Sequence, residues 1–474
     1  MDEQQRSNER PVNPRRKQRS KMQIFKEAYL PVVIAAAAVL LIVIFIVGAI
    51  SRANEQKRLE EEASIAASQQ QASEAARLEA EVKSLLAQAA PLAEVYDYAG
   101  AIAILESFSG DVMDYPQLLD QIVKYEQLQK KMVLWEDPAK IPNLSMQLLV
   151  ADTGRAYSHS VYGSAFRNNF ITTTEFSAIL EQLYAKGYML VSLDDILTVS
   201  SGPDGALTYV PKKLYLPEGK TPLLLTQTNV NYNLYLVDSD GDSLPDKNGC
   251  GFASKLVLDA QGNLTCEMVD SSGNTVTGDY DMVPILEKFI AAHPDFSYLG
   301  ARAILAVTGY NGLFGYRTNV AAKAVFGEDV YKQEVAAAKN VVRALKSKGY
   351  EFACYSYENI GYGEYGLSQV QADLNKWLAE IPEILGQTEI MVFAQNSDIS
   401  SNKNAYSGEK YELLKNAGFN KFLGFCADGA PWATLSAGQA RLGRILLTGK
   451  NLSSNADWFA GMFDAAAVLD PARG

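Results

Sequence analysis

Residues 176–193 read FSAILEQLYAKGYMLVSL, and this stretch contains the local pattern that decides the fold. Its apolar residues are spaced first as in a helix and then, after a glycine, as in a strand: Phe176, Ile179, Leu180, Leu183, then Gly187, then Met189, Val191, Leu193. A glycine just past a helix supplies the left-handed residue that ends it. The stretch therefore predicts a helix followed by a short buried strand.

The same pattern occurs twice more along the chain. NVVRALKSKGYEFACYS covers residues 340–356 and turns at Gly349, and YELLKNAGFNKFLGFC covers residues 411–426 and turns at Gly418. Thr172 and Glu175 fit a capping box at the start of the first helix. We predict further strands at 222–225, 303–307 and 390–393. Regular alternation of helices and short apolar strands predicts an α/β fold with a parallel sheet, either open or closed into a barrel.

Near the N-terminus, residues 31–50 read PVVIAAAAVLLIVIFIVGAI without a charged residue. About 20 helical residues span the ~30 Å hydrocarbon layer of a membrane. We predict a transmembrane helix at 29–50 that follows a cytoplasmic basic tail at 1–28, because basic flanks stay inside. A cleaved signal peptide is the alternative, although its apolar region is usually only ~7–15 residues. We expect this helix to anchor the protein in the plasma membrane, with the large C-terminal part on the extracellular side.

The charge of the chain is unevenly distributed. The net charge is -12 over 474 residues, yet residues 1–27 carry eight Lys or Arg against four acidic residues. The remainder is therefore more acidic than the total suggests. An acidic surface repels phosphate backbones, so nucleic acid is excluded as a partner of the main domain.

Two helical segments are predicted between the membrane and the main domain. Residues 51–90 are rich in Ala, Glu and Gln and predict a helical stalk, with a dimeric coiled coil as the alternative. Residues 91–133 predict a helical hairpin, because apolar residues recur at helical spacing on both sides of a Ser-Gly-Asp turn. The facing sets would be Ile102, Leu105 and Phe108 on one helix and Leu118, Ile122 and Tyr125 on the other.

Residues 134–474 resemble the polysaccharide deacetylase family of carbohydrate esterases. Four segments in chain order carry the resemblance: TTTEFSAILEQLYAKGYMLVSLDDI, KTPLLLTQTNVNY, HPDFSYLGARAILAVTGYNGLFGYRT and LKSKGYEFACYSYENIGY. The resemblance implies an irregular (β/α) barrel. It also implies a divalent metal held by one Asp and two His, with a second Asp as the general base. Such a metal would polarise an acetamide carbonyl and activate a water molecule.

The residues at the motif positions depart from this pattern. Where the family has its two aspartates, this chain has Thr228 at the base position and Asn229 at the ligand position. Tyr355 and Asn359 occupy the histidine positions. None of these four side chains is typical of a zinc-like site, which prefers imidazole, thiolate and carboxylate. We therefore expect no transition metal.

Histidines are too scarce to replace the lost ligands easily. The chain has only His159, in a polar segment, and His293, at the end of a predicted helix. A rebuilt site would need both to converge, with help from acidic residues such as Glu358, Glu364 or Asp398. The same scarcity argues against a Ser-His-Asp triad.

The loop ends of the predicted barrel nevertheless carry polar and aromatic side chains that suit sugar hydroxyls. We predict a ligand groove with the following members: Gln227, Tyr232, Tyr357, Glu358, Gln395 and Asn396. For a single tyrosine, ordinary packing is the alternative.

The segment VDSDGDSLPDKNG at 237–249 is a second motif. Asp238, Asp240, Asp242 and Asp246 place four carboxylates in one short loop, which resembles calcium-binding loops. It lacks the Glu at the twelfth place of an EF-hand. A solvated acidic turn is the alternative to a Ca²⁺ site.

The four cysteines contain no C-x-x-C pair. In an exported domain, Cys250 with Cys266 and Cys354 with Cys426 are possible disulfides. Free buried thiols are the alternative.

Three functional hypotheses follow. The first is a membrane-anchored, catalytically inactive relative of the deacetylases that binds cell-envelope polysaccharide or peptidoglycan. The second is an active metal-dependent polysaccharide deacetylase, a hydrolase of carbon–nitrogen bonds, with a rebuilt site. The third is an envelope scaffold that acts through its stalk, where a homodimer would form.

Overall fold

The structure is a computed structural model that describes residues 21–202 and 207–473. Residues 1–20 of the predicted basic tail lie outside the described residues. The chain divides into two units, the first ending at Lys83 and the second beginning at Ser84.

One long helix dominates the N-terminal part of the described chain. The helix Leu30–Glu94 follows two short helical segments, Lys21–Ile24 and Phe25–Tyr29. Its apolar side chains between Val32 and Ile50 are exposed, as in a helix that lipid would cover. Among the described residues this is one helix long and apolar enough to cross a membrane, and a signal sequence near an N-terminus would meet the same criteria.

Two shorter helices follow, Tyr98–Glu106 and Pro116–Lys130. They pack through buried apolar side chains, among them Leu105 and Leu118. Tyr98 stacks on Tyr125 with ring centroids 6.0 Å apart. The predicted facing residue Ile102 is only half-buried, because Ala101 occupies the buried position of that turn.

Seven parallel strands form a closed barrel in the second unit. In chain order they are β1 Asn143–Met146, β2 Thr221–Thr228, β3 Ile304–Val307, β4 Glu351–Cys354, β5 Ile390–Val392, β6 Lys421–Phe425 and β7 Gln439–Leu446. Each strand pairs with the next, and β7 pairs with β1 to close the sheet. The predicted parallel sheet is therefore confirmed in its closed form.

Helices surround the barrel. Those of seven or more residues are Gly163–Asn169, Thr173–Ala185, Met282–Ala292, Val320–Phe326, Glu328–Lys348, Leu367–Glu380 and Glu409–Asn416. The capping box of Thr172 and Glu175 is confirmed at the start of Thr173–Ala185. Gly187, Gly349 and Gly418 all have left-handed backbones with φ of 81°, 101° and 97°. The three predicted helix ends are therefore correct.

The strand predicted after Gly187 lies outside the barrel. It covers only Tyr188–Leu190 and pairs with the first half of β2. It ends early because Ser192 and Asp195 form a capping box that starts a new helix, Leu193–Ile196. The strand predicted to continue to Leu193 therefore ends at Leu190, and its predicted C-terminal end was wrong.

Several smaller strands decorate the barrel. Antiparallel pairs join Val133–Trp135 to Leu214–Leu216 and Leu197–Ser201 to Leu207–Pro211, while Ala433–Ser436 pairs with β7. A three-stranded sheet of Lys255–Leu258, Leu264–Val269 and Thr275–Gly278 is inserted between β2 and β3. This inserted sheet forms part of a cavity described below.

Two apolar cores lie on the two faces of the barrel sheet. The inner core includes Leu224, Ile304 and Leu423, and apolar residues of 189–197 and 209–216 belong to the same cluster. The outer core includes Leu223 and Leu225, which face the surrounding helices. Along β2, even-numbered residues thus point inward and odd-numbered residues outward, which fixes where each site residue points.

Candidate functional site

The four motif positions lie where β2 and β4 end. Thr228 is the last residue of β2 and Asn229 follows it, while Tyr355 directly follows β4. The carboxyl ends of parallel strands meet at one edge of a barrel, where active sites of such folds are built. The Thr308 Oγ1, just after β3, donates to the Asn229 Oδ1 at 3.3 Å. We call this edge, with Thr228, Asn229, Tyr355, Asn359, Gln395 and Asn396, the rim.

Left-handed backbone is concentrated at the rim. Four rim residues and the neighbouring Ser356 have positive φ although they are not glycine: Asn229 at 58°, Asn359 at 56°, Gln395 at 54°, Asn396 at 53° and Ser356 at 60°. Such conformations are costly for most residues, although Asn tolerates them best. Clusters of this kind are typical of functional sites.

Polar atoms at the rim are left without partners. The Asn359 Oδ1 is buried and accepts no hydrogen bond, and among the described residues the Tyr355 hydroxyl makes no hydrogen bond, although Tyr355 interacts electrostatically with Arg444. Gln395 Nε2 donates to the backbone oxygen of Asn359 at 3.3 Å, which joins the ends of β4 and β5. Amide and hydroxyl groups in this arrangement can donate to and accept from the hydroxyls of a ligand.

Two of the predicted groove residues lie behind β2 instead. The Gln227 Nε2 donates to the Asp281 Oδ1 at 2.8 Å, and the Tyr232 hydroxyl donates to the Asp281 Oδ2 at 2.7 Å. The Leu149 backbone N–H also donates to this carboxylate, at 2.9 Å. The side chains of Gln227, Tyr232 and Asp281 are fully buried, and burial raises the pKa of Asp281 to about 6. Gln227 and Tyr232 therefore hold the outer layer together.

The residues after Tyr355 are held by the helix Leu367–Glu380. The Tyr357 hydroxyl donates to Glu380 at 2.8 Å, and Glu358 forms an exposed ion pair with Lys376 at 2.8 Å. The buried Asp373 carboxylate accepts from the backbone N–H groups of Tyr357 and Glu358 at 2.8 and 2.7 Å. These contacts fix the chain at the end of β4 and point the Tyr357 side chain away from the rim.

Of the two acidic residues near other loop ends, Asp398 is not free to serve a rebuilt metal site. The Asp398 carboxylate pairs with Arg441 at 3.1 Å and accepts from the Tyr406 hydroxyl at 2.6 Å. Arg441 also stacks on the Tyr406 ring at 3.6 Å. Glu364 lies exposed on a turn. Asp398 is therefore fully engaged in a structural cluster.

Arg444 on β7 is a rim-side residue that sequence reasoning missed. Its guanidinium lies inside the barrel and donates to the Gly424 oxygen at 3.0 Å, the Ser145 Oγ at 3.0 Å and the Phe393 oxygen at 3.4 Å. Only 1% of the residue is exposed, and no carboxylate among the described residues pairs with it. Burial lowers the pKa of the guanidinium. The one sequence signal was the run RLGRILL at 441–447, in which two arginines stand among apolar residues.

The two histidines lie in different surroundings, and neither bonds to a rim residue. The His159 Nδ1 accepts from the backbone N–H groups of Val161 and Tyr162 at 3.2 and 3.0 Å. His293 ends the helix Met282–Ala292 and packs on Tyr184 with ring centroids 4.3 Å apart. That helix leads back to the start of β3, so His293 lies at the end of the barrel opposite the rim.

A zinc-type centre, which the deacetylase resemblance implies, does not fit these residues. The rim offers amide and hydroxyl oxygens in place of imidazole and carboxylate. A buried guanidinium that no carboxylate pairs with lies below it and would repel a divalent cation. The rim is suited to hydrogen bonding with a ligand and lacks a group that could serve as a general base.

The acidic loop gathers three of its four aspartates. Ligand oxygens of Asp238, Asp240 and Asp246 lie within 4.8 Å of one another, while Asp242 is outside this group. These carboxylates already accept hydrogen bonds from backbone N–H groups of the loop. Asp238 accepts from Gly241 at 2.7 Å, and Asp246 accepts from Ser239 at 2.7 Å. Calcium binding at this loop stays a prediction.

All four cysteines are free and buried, so the possible disulfides are not formed in this structure. Burial raises the pKa of the Cys250 thiol to about 11 and of the Cys426 thiol to about 12. Cys266 lies 3.6 Å from the Tyr232 hydroxyl, within the layer behind β2. The thiols are therefore part of the packing, which was the alternative interpretation.

No protein-family model matches this chain, and no curated protein matches it significantly in sequence. Among solved structures it is similar to the Streptococcus pyogenes deacetylase PplD in complex with acetate, with 12% identity and a TM-score of 0.35. The likeness covers 67% of this chain and 95% of that chain. At this identity and TM-score the likeness says nothing about activity.

Proposed function

We propose that this chain is a single-pass membrane protein that resembles the polysaccharide deacetylases, and that its extracellular barrel binds cell-envelope polysaccharide or peptidoglycan without hydrolysing it. The observation that carries the proposal is the composition of the rim: Thr228, Asn229, Tyr355 and Asn359 offer hydroxyl and amide groups in every position where hydrolysis needs a base or a metal ligand.

Support for binding comes from the unsatisfied polar atoms. A buried amide oxygen without a partner is unfavourable by about 1–3 kcal/mol, and a ligand hydroxyl would relieve this. The Asn359 Oδ1 is such an atom, and Tyr355, four residues earlier at the end of β4, adds a hydroxyl group. Polysaccharides present many hydroxyls at close spacing, which suits this set of donors and acceptors.

Support for an inactive site comes from Arg444. Its guanidinium is a buried cation inside the barrel, and like charges repel each other more strongly at a low effective dielectric constant than in water. The guanidinium is fixed by Ser145 and by backbone oxygens of β6 and the end of β5, so it cannot easily move away. A metal at the rim would have to overcome this field with neutral ligands alone.

Support for the extracellular position comes from the N-terminal helix and its basic flank. The apolar residues of Leu30–Glu94 are exposed over a membrane-spanning length, and eight basic residues precede position 28. By the positive-inside rule the basic flank stays in the cytoplasm. The barrel would then face the envelope polymers.

The test is co-sedimentation of the full-length protein in detergent with insoluble peptidoglycan. We expect the wild-type protein to bind and Tyr355→Phe to bind about fivefold more weakly, because one hydroxyl contact is lost. Tyr365→Phe is the matched control, since that tyrosine is exposed on a turn. Absence of wild-type binding to peptidoglycan and to other envelope glycans, or equal binding by the two variants, would contradict the proposal.

A further inference from the structure

A cavity of about 250 Å³ lies beside the barrel, apart from the rim. Its walls come from the end of the acidic loop, from the inserted sheet and from the helices that follow β3. The lining residues used below are Leu244, Glu267, Arg317, Phe326, Val330 and Glu334. Ligand pockets usually measure about 300–1,000 Å³, so this cavity suits a small molecule.

Arg317 is a buried cation that lines this cavity, and among the described residues its guanidinium makes no hydrogen bond or ion pair with a carboxylate, although Glu334 and Asp238 interact with it electrostatically. Only 8% of Arg317 is exposed. Its Nη1 donates to the Asn311 oxygen at 2.9 Å and to the Tyr232 oxygen at 3.5 Å, whereas Nε and Nη2 have no partner among the described residues. Burial lowers the pKa of the guanidinium to about 10, so it stays charged at neutral pH. Its fork geometry matches a carboxylate.

The two carboxylates of the cavity differ in their contacts. Glu334 is engaged: it pairs with Lys255 at 3.2 Å and accepts from the Arg317 backbone N–H at 2.8 Å. The Glu267 carboxylate has no hydrogen-bond or ion-pair partner among the described residues. One unpaired cation and one unpaired carboxylate therefore line the same small cavity.

Apolar side chains complete the lining. Leu244 and Val330 are 53% and 44% exposed, although both are aliphatic, and Phe326 lies next to them at the end of its helix. Covering such side chains with an apolar group is favourable because it removes apolar surface from water. The cavity thus combines two opposite charges with an apolar wall.

We propose that this cavity binds a small zwitterion with an aliphatic body, a free α-amino acid or a dipeptide, with its carboxylate on Arg317 and its ammonium group toward Glu267. The aliphatic side chain then covers Leu244, Phe326 and Val330. This assignment is independent of the glycan-binding proposal, because no rim residue lines the cavity.

The first test is calorimetry on the full-length protein in detergent, with leucine, 4-methylpentanoate and isopentylamine as probes. Leucine carries both charges, and each analogue lacks one. We expect leucine to bind with a Kd of about 1 mM or tighter, and each analogue to bind at least about tenfold more weakly. Equal binding of all three compounds, or no leucine binding at about 10 mM, would overturn the proposal.

Variants then separate the contacts. Val330→Glu adds a carboxylate to the wall and should abolish leucine binding, whereas Val325→Glu is the matched control, since Val325 is 66% exposed and does not line the cavity. Glu267→Gln should weaken leucine about tenfold and leave 4-methylpentanoate unchanged. If Val330→Glu binds leucine as well as Val325→Glu does, or if Glu267→Gln weakens both ligands equally, the assignment is wrong.

Discussion

Asp281 shows how one buried carboxylate links distant parts of the chain. It accepts hydrogen bonds from Gln227, Tyr232 and the Leu149 backbone, which lie 54, 49 and 132 residues away in sequence. Its folded-state pKa of about 6 lies above the ordinary value near 3.9, because burial disfavours the charged form. Between these two pH values the folded protein binds more protons than the unfolded chain.

The contribution of Asp281 to the free energy of unfolding should therefore fall as the pH rises from about 4 to about 6. Above pH 6 this contribution is lost. A shift of about two pKa units corresponds to roughly 3 kcal/mol. We expect Asp281→Asn to lack this part of the pH dependence when urea unfolding is measured at about pH 4 and about pH 7. Parallel pH profiles for the wild-type protein and the variant would contradict this role.

This cluster could not be predicted from the sequence, because its residues lie far apart in the chain. Asp281 precedes an apolar helix, so by itself it has the appearance of an ordinary helix cap. Gln227 and Tyr232 were predicted to line a groove, but Gln227 lies on the outer face of β2 and Tyr232 follows the end of that strand, where its hydroxyl donates to Asp281. The contacts that decide this are made between residues far apart in the chain.

Elements with local signals were predicted well. Each of the helix ends at Gly187, Gly349 and Gly418 depends on one left-handed residue, and a glycine in the sequence predicts such a residue. Strands β1 and β7 were missed, since β1 has inward-facing polar residues such as Asn143 and Ser145, and β7 contains two arginines. Both strands interrupt the apolar alternation on which strand prediction relies.

Two of these glycines differ in the space around them, which gives a matched pair of variants. A Cβ on Gly349 would lie 2.5 Å from the Gly300 backbone oxygen, whereas one on Gly418 would meet nothing within 4 Å. We expect Gly418→Ala to cost about 1–2 kcal/mol for its left-handed backbone alone, and Gly349→Ala to cost about 3 kcal/mol or more. Urea unfolding of both variants measures this difference, and equal losses would show that the clash is relieved.

At the scale of the whole molecule, seven parallel strands close into a barrel whose rim carries amides and hydroxyls, and an apolar helix of membrane-spanning length precedes it. The closed parallel barrel followed from three repeated junctions together with the family resemblance. The hydrogen bonds inside the barrel could not be predicted in this way, because the Arg444 guanidinium donates to Ser145, Gly424 and Phe393, which lie far from it in the sequence.

We propose that this barrel does not assemble a hydrolytic metal site. Metal analysis of the purified full-length protein, together with an acetate-release assay on N-acetylated peptidoglycan and chitooligosaccharide, tests this proposal. We predict no retained transition metal and no acetate above the level of a protein-free blank. About one tightly bound transition metal per chain, with acetate release that a chelator abolishes, would contradict this proposal.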